Sequence, residues 1–164
     1  MTAKDVSTKD TERKDKASAR GAARFAAVEI LYQIDVHATP IDQALVDFNK
    51  GSLDSMLDAP LRTVDKSFLT DVVAGTCDHL QDIDDSISKN LPEQWALNRL
   101  DPVVRGILRA AHYELFYCLD VPTPVILSEY IDVAKAFYDQ KEPGFINGVL
   151  DTAAKCRTEK LLNT

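Results

Sequence analysis

Residues 101–119 read DPVVRGILRAAHYELFYCL, and the fold is decided there. Asp101-Pro102 sets a capping carboxylate before a proline in the first helical turn, where the missing N–H costs nothing. Val104, Leu108, Ala111, Leu115 and Cys118 follow at 4-3-4-3 spacing, one face of a 3.6-residue repeat. The pattern predicts a core helix through residue 119. The same punctuation recurs on either side. Thr39-Pro40 opens a helix with Ile41, Leu45 and Phe48 on its apolar stripe and Gly51 as its stop. Thr123-Pro124 opens another that runs to about Tyr138. Upstream, Ser18 caps a helix from Arg20 to His37 whose Phe25, Val28, Leu31 and Tyr32 share a face. One long helix is expected from Thr63 or Asp65 to Lys89, closed by Pro92. Trp95 to Leu100 is at most one or two turns. A last helix covers Pro143 to Cys156, with Phe145, Val149, Leu150 and Ala153 inward.

No window alternates with period 2, so the chain is all-α. Six substantial helices with short connections imply antiparallel packing. The expected architecture is two packed three-helix bundles sharing one core, about residues 18–90 and 97–156, with a short extra helical turn between them. Each half alone is too small to bury a sizeable core, so residues 18–160 form a single domain. Residues 1–17 are polar, with Val6 their one large hydrophobe, and are expected to be a disordered tail.

The charge is unevenly shared. Among 164 residues, 19 Lys/Arg face 26 Asp/Glu, a net of −7. Residues 1–24 hold seven cations (Lys4, Lys9, Arg13, Lys14, Lys16, Arg20, Arg24) against four acids, so the rest of the chain sums to −10. A uniformly basic nucleic-acid coat is excluded, whereas a local cationic arm on an acidic body is not. Cys77, Cys118 and Cys156 form no CxxC pair and are odd in number, which fits reduced thiols. No apolar run approaches the ~18–20 residues that span a bilayer, and the N-terminal stretch lacks the apolar centre of a secretory signal. A soluble, cytoplasmic protein is expected.

Catalytic chemistry finds little support. His37, His79 and His112 fall on three different helices, and none has a second His or Cys at ligand spacing. Phosphate-loop, dinucleotide and nucleophile-elbow patterns are missing. His112 paired with Ser128, Glu129 or Asp132 is unconstrained. Asp82, Asp84 and Asp85 lack the glycine and alternating ligands of a calcium loop and read as a solvated helix face. No enzyme activity, metal or cofactor is expected.

The second half carries a more specific signal. ILRAAHYELFY, then DVPTPVILSEYIDVAKAFY, then FINGVLD resemble the NusB family of bacterial transcription antitermination factors. That family's pattern is roughly an LRxAxYEL helix, a proline turn, an NExxxxAKxF helix and an FVNGVLD helix. RGAARFAAVEILYQIDV is similar to its opening Arg-rich helix ending in LYQ. The resemblance spans about residues 19–156. It implies a double three-helix bundle that binds boxA RNA together with the small-subunit ribosomal protein NusE, then joins an antitermination complex on RNA polymerase during ribosomal RNA transcription. The same domain also occurs fused to a ribosomal RNA cytosine methyltransferase; at 164 residues the free factor is expected. Ser128 stands where the family commonly has Asn, and Ile146 where it has Val. Gly21 and Ala22 replace arginines found in some members, leaving Arg20 and Arg24.

Against that background Lys16, Arg20 and Arg24 are candidate phosphate contacts, with Arg13 and Lys14 adding charge upstream. Arg20 and Arg24 are one turn apart and would lie near the positive end of the helix dipole. Tyr32 and Phe145 match aromatic positions of the family near its RNA-facing surface and could stack on unpaired bases, although each also fits a core stripe. Arg109 is expected to pair with Glu129 and fix helix orientation. Gly148 suggests close approach of a neighbouring helix. The acidic body suits a basic NusE-type partner. The rival reading is a protein-interaction module, for instance a homodimer that masks its RNA surface.

Overall fold

The computed structural model describes the backbone of residues 3–50 and 64–163, and their side chains apart from residues 3–7 and 15–17. Seven α-helices are present among these residues: α1 (Ala3–His37), α2 (Ile41–Asn49), α3 (Lys66–Asp78), α4 (Leu80–Asn90), α5 (Pro102–Tyr117), α6 (Thr123–Phe137) and α7 (Lys141–Leu162). A single 3₁₀ turn, Leu97–Arg99, precedes α5. No strand occurs among the described residues, as the pattern required.

The two aspartate caps form, whereas Ser18 lies inside α1 and neither Thr39 nor Thr123 caps its helix. Asp65 accepts from the Phe68 N–H at 3.0 Å, and Asp101 accepts from the Val103 N–H at 2.9 Å. Thr123 does something else: its hydroxyl accepts from Arg157 at 2.6 Å, tying the start of α6 to the end of α7. Ala38 turns the chain out of α1 with a φ of 51°. Gly51 and the 51–62 loop lie outside the described residues.

Three expectations are corrected. First, α1 begins at Ala3 rather than Ser18, so the polar segment expected as a tail continues as helix. Its Lys, Asp, Glu and Arg residues are compatible with helix, and neither glycine nor proline interrupts it. Residues 8–14 are all exposed. Second, the long helix predicted to Lys89 is broken at His79, whose φ of −111° and ψ of 21° are not helical. The His79 ring stacks on Tyr117 at 4.1 Å, a contact with α5 that competes with continuing the helix straight. Third, α4 consequently belongs with the second half of the chain. It packs on α5 and α7, so the division between bundles falls at His79 and not at Pro92.

One hydrophobic cluster runs through both halves. The seam residues of α5 are its middle: Val104, Leu108, Ala111 and Leu115 are buried, and α5 packs against α1, α3, α4, α6 and α7. His112 sits fully buried on the same helix. Its Nδ1 donates to the Leu108 carbonyl at 2.7 Å, which leaves Nε2 to accept from Asn90 at 3.3 Å. Arg157 donates to the Cys118 and Val121 carbonyls at 3.2 and 2.8 Å, closing the α5–α6 turn. Among the described residues no helix is long and apolar enough to cross a membrane.

Candidate nucleic-acid interface

The two arginines expected to act as a pair have opposite fates. Arg24 is 2% exposed, and its Nε and Nη2 donate to the two carboxylate oxygens of Glu114, both at 2.9 Å. Glu129 approaches it at 3.8 Å, and the Phe68 ring lies under the guanidinium at 4.9 Å. Burial works against the charged guanidinium, but the hydrogen bonds and charge of Glu114 outweigh it and leave the Arg24 pKa raised. Arg24 is therefore a lock between α1 and α5 and is not available to a phosphate. Burying a guanidinium demands hydrogen-bond acceptors for its N–H groups, and α5 supplies Arg24 with a carboxylate in YEL.

Arg20, one turn earlier, stays at the surface. Its side chain is 43% exposed, it lies 4.7 Å over the Phe68 ring, and its nearest acid in an ion pair is Asp65 at 3.8 Å. Because α1 starts at Ala3, Arg20 is mid-helix, and the expected assistance from the helix dipole does not apply, since that effect is confined to the terminal turn. The helical extension instead does something the sequence reading missed. Lys9, Arg13, Lys16 and Arg20 recur at 4-3-4 spacing and so fall in one register along α1. Lys9, Arg13 and Lys14 are exposed; the side chain of Lys16 lies outside the described residues.

The expected Arg109–Glu129 pair does not form. Arg109 donates to both oxygens of Asp84 at 2.8 and 2.9 Å and approaches Asp35 at 3.5 Å. Glu129 faces Arg24 instead. Burial raises the Glu129 pKa even though Arg24 pulls it down. Arg109 thus joins α5 to α4 and α1, where the acids of α4 are partners and not only a solvated face.

Tyr32 and Phe145 are each half-buried. Tyr32 meets His37 edge-on at 6.4 Å. Phe145 packs against Trp95, centroids 5.4 Å apart and planes tilted by 51°. Trp95 is 46% exposed and was not singled out from sequence, where the short 95–100 turn carries no periodicity to mark it. Among the described residues no group of three or more His, Cys, Asp or Glu side chains is arranged to hold a metal ion.

A model of the NusB family matches residues 21–155. The chain belongs to the NusB family. It is 42% identical over 141 residues to the transcription antitermination protein NusB of Sphingopyxis alaskensis, covering 85% of this chain and 95% of that protein. NusB of T. maritima superposes with a TM-score of 0.68 at 33% identity, covering 85% of this chain and 96% of that one. A chain from the crystal structure of antitermination factors NusB and NusE in complex with dsRNA shares the fold, with a TM-score of 0.71 at 24% identity, over 85% and 98% of the two chains. The NusB match begins at Gly21, so the register of cations from Lys9 to Arg20 precedes the matched segment.

Proposed function

We propose that this chain is a non-catalytic transcription antitermination factor that acts in the cytoplasm. It binds boxA-type single-stranded RNA together with the ribosomal protein NusE and joins the antitermination complex on RNA polymerase. The observation that carries this reading is the match to the S. alaskensis antitermination protein along 95% of that protein's length.

The physical arrangement supports it. Single-stranded RNA is held by cations that track phosphates and by rings that stack on bases. Arg20 supplies an exposed guanidinium at the end of the α1 register, with Lys16 and Arg13 upstream. Phe145 and Tyr32, each partly exposed, are the candidate stacking rings elsewhere on the surface. The remaining body, at −10, favours encounter with a basic protein and disfavours phosphate away from α1. Buried titratable groups such as Arg24, Glu114 and His112 are committed to internal bonds, which suits a scaffold rather than a reaction centre.

The test is labelled-RNA anisotropy with a boxA oligonucleotide and a scrambled control, with and without NusE, at fixed salt. The expected result is tight binding of boxA when NusE is present. Equal binding of the scrambled RNA by the pair would defeat the proposal.

A further inference from the structure

We propose that Trp95 is a base-stacking residue and that the groove beside it receives an unpaired nucleobase; this rests on the RNA-binding reading. Three observations carry it. Trp95 is the most exposed aromatic side chain among the described large hydrophobics, at 46%, yet its backbone is held in place. Its N–H donates to the Pro92 carbonyl at 2.9 Å, and the Arg99 N–H donates to the Ala96 carbonyl at 3.0 Å. Buried Leu91 and Leu100 anchor the two ends of the segment. A rigid, exposed ring loses little entropy on stacking.

Secondly, the ring touches Phe145, the aromatic residue proposed above as an RNA contact. Thirdly, Trp95 lines an open groove of about 570 Å³ with Leu97, Asn98, Arg105, Arg109 and Asp84. Its arginines are internally engaged. Arg105 donates Nε and Nη2 to Asp35 at 2.9 and 2.7 Å, and Nη1 to the carbonyls of Asn98 and Leu100 at 3.2 and 3.0 Å. Arg109 is bidentate on Asp84. The wall is polar but charge-compensated. It offers a phosphate no unpaired fork, whereas a base, flat and neutral with polar edges, suits it beside an indole face.

Trp95 is the chain's one tryptophan, so its fluorescence reports the site directly. A boxA-type single-stranded RNA is titrated into the full-length protein with NusE bound, and tryptophan emission of the factor is followed beside labelled-RNA anisotropy. Tryptophan-free NusE removes the partner's background. The proposal expects quenching that saturates with the anisotropy. Trp95→Ala should weaken binding roughly 5- to 150-fold, the span of one lost base–aromatic stack, with an unchanged salt slope. Trp95→Phe should recover part of the loss, which also controls for folding through the Phe145 contact. RNA binding with unchanged emission and unaffected W95A affinity overturns the inference while leaving the RNA-binding function standing. Emission that changes on adding NusE alone and no further with RNA makes the site a protein contact and overturns it too. Absence of any RNA binding by anisotropy removes both.

Discussion

Replacing Arg24 by Met tests the assignment of that residue to the core and not to RNA. Methionine keeps much of the side-chain volume and removes the charge, so Glu114, fully buried, is left inside without its bidentate partner. Fully buried Tyr130 also interacts with Glu114, but a phenol does not replace a guanidinium. Breaking a buried pair on one side costs about 3–5 kcal/mol, a large share of the ~5–15 kcal/mol that holds a domain together. With a urea slope of about 2 kcal/mol/M, the unfolding midpoint should fall by about 1.5–2.5 M without a change in slope. Adding Glu114→Leu should recover most of the loss, because the desolvated charge is then gone as well. The double variant also keeps the test alive if R24M is too unstable to purify. A single-variant loss below about 1 kcal/mol would refute the lock, as would a double variant less stable than R24M.

Arg20→Ala should behave in the opposite way: nearly normal urea stability, but an RNA salt slope flattened by about 0.7, one single-strand phosphate contact. An unchanged slope removes Arg20 from the interface. Burial lowers the His112 pKa to about 4 from an ordinary 6.5, only partly offset by its bond to Leu108. The folded protein therefore holds His112 neutral while the unfolded chain takes up the proton first. This contribution to stability, about 3 kcal/mol by linkage, is intact above pH 6.5 and lost as pH falls towards 4; His112→Leu should flatten urea midpoints across that window. Gly148→Ala should stabilise by about 0.5–1 kcal/mol, since a Cβ there meets nothing within 4 Å and helical alanine is preferred. Gly75→Ala should cost about 1–3 kcal/mol, because its Cβ would collide with the Tyr113 ring, which Asp71 holds in place at 3.0 Å. Thermal melts of the two glycine variants shifting in the same direction would contradict this contrast.

What the sequence made legible was whatever depends on near neighbours. The α5 seam, the carboxylate caps at Asp65 and Asp101 and the single turn at 97–99 are set by residues within a few positions of one another. The break at His79 was invisible because its cause, the ring of Tyr117, lies 38 positions away. Gly148 was misjudged for a related reason: a helical glycine announces that a side chain is missing, not whether a neighbour fills the space. That space proved empty, and it was Gly75 that made room for a ring. Arg109 has several acids within reach of the fold, and sequence spacing does not choose Asp84 over Glu129. Spacing ranks residues by face, and only packing decides which carboxylate shares the face.

Packing also decides which of the chain's cations are open to solvent. An arginine in the sequence looks equally able to meet a phosphate wherever it stands, yet Arg24, Arg105, Arg109 and Arg157 all hydrogen-bond inward. Glu114, Asp35 and Asp84 compensate Arg24, Arg105 and Arg109, while carbonyls and a hydroxyl hold Arg157. None of the four lends the surface an open fork. If the proposed site is right, the register that ends at Arg20 is the row of cations α1 offers to RNA, and it would let a protein of net charge −7 hold a polyanion. In the proposed interface, electrostatic attraction would come chiefly from the outer half of α1 and base stacking from Phe145 and Trp95. Salt should therefore weaken the two kinds of contact unequally. Raising it should erode binding through α1 while a stacked base keeps most of its contribution, so the residual affinity at high salt should depend on the aromatic residues far more than on Arg20.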